Sequence, residues 1–410
     1  MIKICDSIMG SGKTTAAIRY MNEHPEKRYI YITPYRSEAD RIQSGCKDLN
    51  FKRPKYQVIA YSTELIQAGE NIATTHQAFK LYTPEIKKYI KENGYTLIVD
   101  ESIELLEELS LSAGDLRMCE RAGYIKIENN NIQIVDDSYD GGYGDLKEFF
   151  KTIRCRDLMM FADGSNTLYY WLLPLDLITA FDDVIVMTYM FDGQELSYLF
   201  EMGGIKYQYI GLNEDENGTY FADDAAGNYQ PEYVQQIASK IHILDNKKLN
   251  SIGEDDFALS KHWFEREGNE DQVEALKRHI YNYFRNISDS NSDTRMWSSY
   301  LCAKNSVRGK GYTNGFVSFN ARAENKYASK NTLAYAVNVF MNVGRKIYFK
   351  QNGIEVDDDA YALSTMVQWI WRSAIRNGED INLYIPSKRM RNLLLGWMSS
   401  LTGGENHVKT

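Results

Sequence analysis

The octapeptide Ser7-Ile8-Met9-Gly10-Ser11-Gly12-Lys13-Thr14 constrains this chain more than any other stretch. It lies between a short β-prone run, Ile2-Lys3-Ile4-Cys5, and the helix-prone Thr14-Thr15-Ala16-Ala17-Ile18-Arg19-Tyr20-Met21. A strand that enters a Gly-rich turn and leaves as a helix is a cradle for phosphate. Small residues let backbone N–H groups close around the oxygens, a lysine neutralises charge on the outer phosphates, and a hydroxyl ligates Mg²⁺. Gly10, Ser11, Gly12, Lys13, Thr14 and Thr15 are therefore the expected ATP-binding residues, with Lys13 also acting in catalysis and Thr14 on the metal. Ser7 stands where the usual pattern has its first glycine.

The same strand–helix alternation continues. Strands are expected at 29–33, 56–60, 97–99 and 184–187, with a polar helix from near Ser37. The runs at 97–99 and 184–187 are continuously apolar, which suits strands covered on both faces. Near 204–230 the sequence turns Tyr-rich and is punctuated by Gly and Asp. Beyond it, strands are expected at 240–244, 315–319, 345–349 and 381–385, and helices at 271–287 and 358–377. With 410 residues, the chain suits two domains of ordinary size. The expected fold is α/β, with two parallel-sheet domains in tandem. The first spans 1–205 and the second 206–410, with a Tyr- and acid-rich entry segment at about 206–271.

Composition narrows the class. A hydrophobic content of 43% with 25% charged residues describes a globular chain, which removes disordered and collagen-like classes. No apolar run approaches the roughly 20 residues of a membrane span, and no leader is recognisable, so the expectation is a cytoplasmic protein. The cysteines at 5, 46, 119, 155 and 302 form no CxxC pair and are expected as reduced thiols. A net charge of -9 argues against a nucleic-acid partner only until it is located. Residues 211–271 hold 14 acidic and 5 basic side chains, which leaves the rest of the chain formally neutral and able to carry local basic patches.

A nucleotide-hydrolysing site also needs an acid at the end of a neighbouring strand. Leu97-Ile98-Val99-Asp100-Glu101 supplies two: Asp100 on the metal side, and Glu101 to polarise the attacking water. The alternative is a pair of solvated acids at a strand end.

Taken together, Ser7–Thr14, Asp100-Glu101-Ser102-Ile103, Thr33-Pro34-Tyr35-Arg36 and Ala73-Thr74-Thr75-His76-Gln77-Ala78-Phe79 resemble superfamily-2 helicases, in the order and spacing of that family. The wording Met-Gly-Ser-Gly-Lys-Thr-Thr is similar to phage helicases and herpesvirus-type origin-binding helicases. The resemblance implies that both domains are RecA-like with an ATP cleft between them, and it implies a coupling residue, Thr188, within Met187-Thr188-Tyr189-Met190, where the family usually has Ser-Ala-Thr. It implies backbone contacts to nucleic acid from Thr33, Arg36, Thr75 and Gln77 in the first domain, and from Asn320 and Arg322 in the second.

Gln368-Trp369-Ile370-Trp371-Arg372-Ser373-Ala374-Ile375-Arg376 resembles the family's arginine-finger motif, which makes Gln368, Arg372 and Arg376 candidate catalytic residues. At about 100° per residue, a continuous helix here would bury Leu363, Val367, Ile370 and Ala374 and present the Gln-Arg-Arg face opposite. The family spaces its two arginines by three residues and this chain by four, so Arg372 matches by its distance from Gln368. Trp297 either stacks on a base or packs in the core. Pro386-Ser387-Lys388-Arg389-Met390-Arg391 is either a phosphate contact or a solvated cationic turn.

The function implied is an ATP- and Mg²⁺-dependent helicase or translocase acting on nucleic acid, DNA rather than RNA, in phage replication or recombination alongside other replication proteins, in the host cytoplasm if phage-encoded. A nucleotide kinase, a DNA-packaging motor with a nuclease half and a non-catalytic nucleotide-binding scaffold are the alternatives.

Overall fold

The computed structural model describes residues 1–108, 112–128, 131–154, 157–163, 166–224, 229–321 and 325–401. The chain divides into two compact units. One comprises Met1–Ser7, Gly12–Tyr229 and Asn342–Val356, and the other Ile8–Ser11, Gln230–Met341 and Asp357–Thr410. Each contains a parallel sheet with helices, the α/β class that the strand–helix alternation predicts.

In the first unit, β1 (Ile2–Asp6), β2 (Arg28–Thr33), β3 (Ile72–Thr75) and β4 (Tyr95–Asp100) are followed by five strands of an insertion: β5 (Leu106–Glu108), β6 (Ile125–Glu128), β7 (Asn131–Ile134), β8 (Asp157–Asp163) and β9 (Asn166–Leu172). Then come β10 (Asp183–Thr188), β11 (Gln208–Asp215) and β12 (Gly218–Ala222). The main sheet has the order β12-β11-β1-β10-β4-β2-β3, and only the β11–β12 pair is antiparallel. Its central strands are buried on both faces, which is why Leu97–Val99 and Val184–Met187 read as unbroken apolar runs.

Helix α1 (Lys13–Glu23) presents Ala16, Ala17 and Met21 to a core shared with Cys5, Tyr31, Ile98, Met187 and Ile210. The two alanines let the helix backbone approach the sheet closely. Helix α2 (Arg36–Gly45) confirms the polar helix near Ser37, burying only Ala39 and Ile42.

Three expected strands are absent. At 56–60 the chain turns at Gln57 (φ 44) and enters helix α3 (Val58–Gln67). There Ser62, Leu65 and Ile66 are buried at helical spacing, so period 3.6 prevails over the short β-prone start. At 345–349 the chain is the helix Val343–Gln351, begun by the Asn342 side chain accepting from the Arg345 N–H at 3.2 Å. At 315–319 only Phe316 bridges to Trp297 before the chain turns, with the Ala321 N–H bonded to the Ser318 carbonyl.

The chain changes unit at Tyr229–Gln230 rather than at 205, because β11 pairs with β1, aligning Ile210 with Cys5, and carries its hairpin partner β12 with it. The insertion between β4 and β10 has its own antiparallel sheet, β5-β9-β8-β7-β6, and its own small core of Leu116, Cys119, Ile125, Ile132, Phe149, Phe150 and Trp171.

The second unit's sheet is parallel throughout, in the order β13-β16-β15-β14, built from β13 (Ile241–Ile243), β14 (Arg295–Ser298), β15 (Thr332–Tyr335) and β16 (Ile381–Tyr384). Trp297 is fully buried here, its indole N–H donating to the Tyr312 carbonyl at 2.8 Å. It is a core residue, and the base-stacking alternative is withdrawn. Among the described residues no helix is long and apolar enough to cross a membrane.

The helix Val343–Gln351 returns to the first unit through a buried ion pair. Arg345 Nη1 lies 2.7 Å from Glu195 Oε2, while Glu195 Oε1 accepts the N–H groups of Leu105 and Leu106 at 3.0 and 2.8 Å. Removing the buried carboxylate strips a half-buried guanidinium of its main partner and two N–H groups of their acceptor. Glu195→Ala is expected to cost about 3–5 kcal/mol. Glu195→Gln, which keeps an acceptor, costs less. Urea unfolding measures both, and an unchanged midpoint in the alanine variant would contradict this account.

Candidate nucleotide and nucleic-acid site

Parallel strands release their C-terminal ends on one edge of the sheet. The register aligns Asp6 with Thr188 through β1–β10, and Met187 with Asp100 through β10–β4. The phosphate-loop approach, the expected coupling residue and the acidic pair thus emerge side by side.

Gly12 caps α1 in a left-handed conformation (φ 95), and no side chain caps the first-turn N–H groups. Those donors and the positive end of the helix are what a phosphate would meet. A Cβ on Gly12 would come within 2.7 Å of Thr219 Oγ1. Thr14 is half-buried and Thr15 exposed in that first turn, and Lys13 Nζ donates to the Ser7 carbonyl. Burial pulls the Lys13 ammonium below its ordinary range, and the charges of Cys5, Asp100, Asp6 and Glu101 oppose that fall.

Asp100 accepts from the Tyr31 hydroxyl at 2.8 Å. Burial, then the charge of Glu101, pushes its carboxyl up to about 7. A carboxyl this costly to ionise suits a place beside a cation. Glu101 holds φ 62, uncommon for a residue with a Cβ, with its N–H bonded to the Met187 carbonyl at 2.9 Å. Thr14, Lys13 and Asp100 together fit a nucleotide phosphate and its divalent cation: hydroxyl, ammonium and carboxylate are the donor set such a group requires.

Sequence reasoning missed Asp6. Its two carboxylate oxygens accept the N–H groups of Met190 and Phe191 at 2.7 and 2.9 Å, pinning the loop after β10, where Met190 is left-handed (φ 59). Thr188 is buried, its hydroxyl 2.9 Å from Gln194 Oε1, and its carbonyl accepts from the Ser7 N–H at 3.0 Å. One hydrogen-bonded strap therefore connects the phosphate-loop entry to the loop after β10. An acid closing the first strand, just before the loop, was the available signal.

The loop residues Ile8–Ser11 group with the second unit. Ser11 is buried, with its hydroxyl bonded to the Ile8 carbonyl at 2.7 Å. Gly10 (φ 82) offers its carbonyl to the Tyr233 hydroxyl at 2.9 Å, and a Cβ there would collide with that hydroxyl. Tyr233 carries no motif and was not foreseen.

The arginine segment departs from the continuous helix expected for it. The helix runs Asp358–Ile370, and Ser373 opens a separate 3-10 turn, Ala374–Asn377. Val367, Ile370 and Ala374 are buried as expected and Leu363 is half-buried, but the opposite side is not a solvated Gln-Arg-Arg face. Arg372 is itself buried, 5% exposed, and near enough to Tyr335 for its charge to oppose the upward push of burial on that phenol. Gln368 donates to Ser364 at 3.2 Å, and Arg376 is half-buried in the 3-10 turn. The extended backbone of Ser373 breaks the 100° step of a continuous helix.

Of the expected nucleic-acid residues, Thr33 and Thr75 are paired across β2–β3. Thr33 is fully buried, and its hydroxyl has no partner among the described residues. Thr75 caps the next turn, accepting from the Ala78 N–H at 3.3 Å, while Arg36 and Gln77 are exposed. In the second unit, Asn320 is exposed and accepts from the Ser318 hydroxyl at 2.6 Å; Arg322 lies outside the described residues. The basic turn 386–391 is also accounted for: Arg389 donates to the Val339 carbonyl at 2.7 Å and to Asp359, and Arg391 donates to the Ile385 carbonyl at 2.8 Å.

The Gly12 geometry can be tested. Gly12→Ala is expected to lower the unfolding midpoint through both backbone strain and the Thr219 clash. Adding Thr219→Ala should recover the clash and leave about 1–2 kcal/mol for the left-handed backbone. Full tolerance of the single change would disprove the cradle geometry.

Comparison with known proteins agrees with this architecture. A family model described as the YonV C-terminal Rossmann-like domain matches residues 235–398, the span of the second sheet. Solved structures titled "XPD_Helicase" and "Structure of S. tokodaii Xpd4" share the fold. They have TM-scores of 0.52 and 0.50 at 10% and 13% identity, covering 99% and 97% of this chain and 95% and 94% of theirs. The tandem RecA-like fold is thereby shown, and the likeness extends to fold alone. The SPbeta prophage-derived uncharacterized protein YonV of Bacillus subtilis (strain 168) is 36% identical over 416 residues, spanning 97% of this chain and 99% of the relative. On that near full-length identity, the chain belongs to the YonV family.

Proposed function

We propose that this protein is an ATP-driven motor on nucleic acid, a helicase or translocase of superfamily-2 type that works on phage DNA. The observation that carries the reading is the convergence, on one edge of one parallel sheet, of the Gly12–Lys13–Thr14 cradle, the Asp100-Glu101 pair and the Thr188 strap. A kinase or a scaffold has no need of a buried strap joining the phosphate-loop entry to the loop after β10. A motor does, because the state of the nucleotide must be felt elsewhere. The prophage origin of the 36% identical relative supports action in phage DNA replication or recombination.

In this reading the first-turn N–H groups of α1, with Gly10, Ser11, Gly12 and Thr15, hold the phosphates, and Lys13 neutralises their charge. Bound Mg²⁺, held by Thr14 and Asp100, would supply charge stabilisation at the transferring phosphoryl group. Glu101 orients and deprotonates the attacking water. Arg372 stabilises the transition-state charge, with Gln368 and Arg376 assisting, and Thr188 passes the change on through Ser7 and Gln194. Arg36, Thr75, Gln77, Asn320 and Arg322 contact the sugar-phosphate backbone without reading sequence, while Thr33, fully buried, supports the strand end beside Thr75.

Two variants divide the claim. Lys13→Ala should all but abolish ATP hydrolysis stimulated by nucleic acid. Arg372→Ala should lower turnover by about 10³-fold while leaving ATP affinity nearly unchanged. Steady-state ATPase rates with single-stranded DNA, duplex DNA and RNA side by side are the measurement. Rates indifferent to all three would sink the motor reading, and full activity in Lys13→Ala would remove the loop from the chemistry.

A further inference from the structure

The segment between α2 and α3 carries no motif, yet it lines a groove in the first unit. Arg36, Arg53, Lys55, Tyr56 and Thr75 border a cavity of about 180 Å³, which continues past Tyr56 into a second lobe bordered by Gln57, Ala60, Tyr61 and Glu64. Three cations thus stand around the first lobe, against one acid at the far end of the second. Arg53 is held by Asp40, whereas the Arg36 guanidinium and the Lys55 ammonium have no ion-pair partner among the described residues.

The aromatic content of this groove is unusual. Tyr56 is 84% exposed and Tyr61 40% exposed. Among the described residues the exposed tyrosines are Tyr56, Tyr61, Tyr143 and Tyr281, and neither of the two in this groove packs on another ring. A tyrosine held almost wholly in water forgoes the apolar burial that normally fixes such a side chain. Its position one residue from an unpaired lysine, beside a second unpaired cation, matches the pairing of charge and π-face that grips an unstacked strand. In a duplex both faces of every base are already covered, so an exposed ring gains little from it.

We infer that this groove binds single-stranded nucleic acid, with Arg36 and Lys55 on neighbouring phosphates and the Tyr56 ring stacked on an unpaired base; Tyr61 extends the aromatic surface along α3. The inference rests on the proposed action on nucleic acid and adds to it a preference for single strands and a base-stacking residue. Stacking is indifferent to base identity, so the groove grips without reading sequence.

The test is fluorescence anisotropy of the full chain with a labelled mixed-sequence DNA strand, the matching duplex, and an abasic strand of equal length. Expected are tighter binding of the single strand than of the duplex, and a loss of roughly 5- to 100-fold in affinity for the single strand in Tyr56→Ala. Tyr56→Phe, which keeps the ring, should stay within about twofold on the same scale. The abasic strand should bind wild type and Tyr56→Ala alike, because it offers nothing to stack. Lys55→Ala should weaken both strands and lower the salt slope by about one. Tyr56 is exposed, so its replacement leaves the core intact, and circular dichroism checks this. If wild type binds the strand and Tyr56→Ala binds it equally well, or loses as much on the abasic strand, the stacking inference is overturned while the proposed function stands. If wild type binds no nucleic acid, both fall.

Discussion

The parallel pairing of β1, β10 and β4 is the constraint on which the site depends. Parallel strands in register end at the same level, and every loop leaving them is delivered to one edge. Asp6, Asp100 and Thr188 are separated by more than eighty residues at each step of the sequence, yet strand pairing makes them neighbours. The apolar runs of β4 and β10 ensure it, because a strand buried on both faces has nowhere else to go. Slipping any of these strands by one residue would send its apolar side chains to the wrong faces and misplace the acid at its end.

Burial gives that edge its chemical character. Desolvation lowers the Lys13 ammonium's pKa against the charges of the acids around it, while Asp100 is pushed up to about 7 by burial and the adjacent Glu101. The two shifts oppose each other across a small volume, an arrangement that a polyphosphate and its cation would relieve. Asp6 is treated differently. Burial also raises its carboxyl, but two backbone N–H donors engage it, and its role is to hold the turn at Met190 and Phe191. Three ionisable groups at one sheet edge thus differ in their surroundings: Lys13 and Asp100 face each other's charge in a desolvated setting, and Asp6 is engaged by backbone donors.

The second unit shows how far a helical wheel can be trusted. Val367, Ile370 and Ala374 are buried as the periodicity requires, so the inner side of the segment was legible. The outer side was not, because the wheel presumes a continuous helix and water on the far face. Ser373 interrupts the first, and the burial of Arg372 removes the second. A buried arginine commits its charge more strongly than a solvated one, since desolvation leaves it dependent on whatever anion it meets.

Local chemistry determined much of this protein without reference to its fold. The need for glycine at left-handed turns, for a hydroxyl and lysine after them, and for an acid after an apolar strand made Gly10–Thr15 and Asp100-Glu101 legible, and alternating strand and helix signals made the α/β class legible. Tertiary structure alone decided the rest. Recruitment of the helix Val343–Gln351 into the first unit depends on Glu195, about 150 residues away, and no local pattern announces such a partner. Asp6 became a clamp, and Trp297 a core residue, only once distant backbone groups surrounded them. Tyr56 looked like part of a strand until helix α3 left its ring in water. Periodicity and motif chemistry report on neighbours along the chain, whereas burial and hydrogen-bond partnership are properties of neighbours in space.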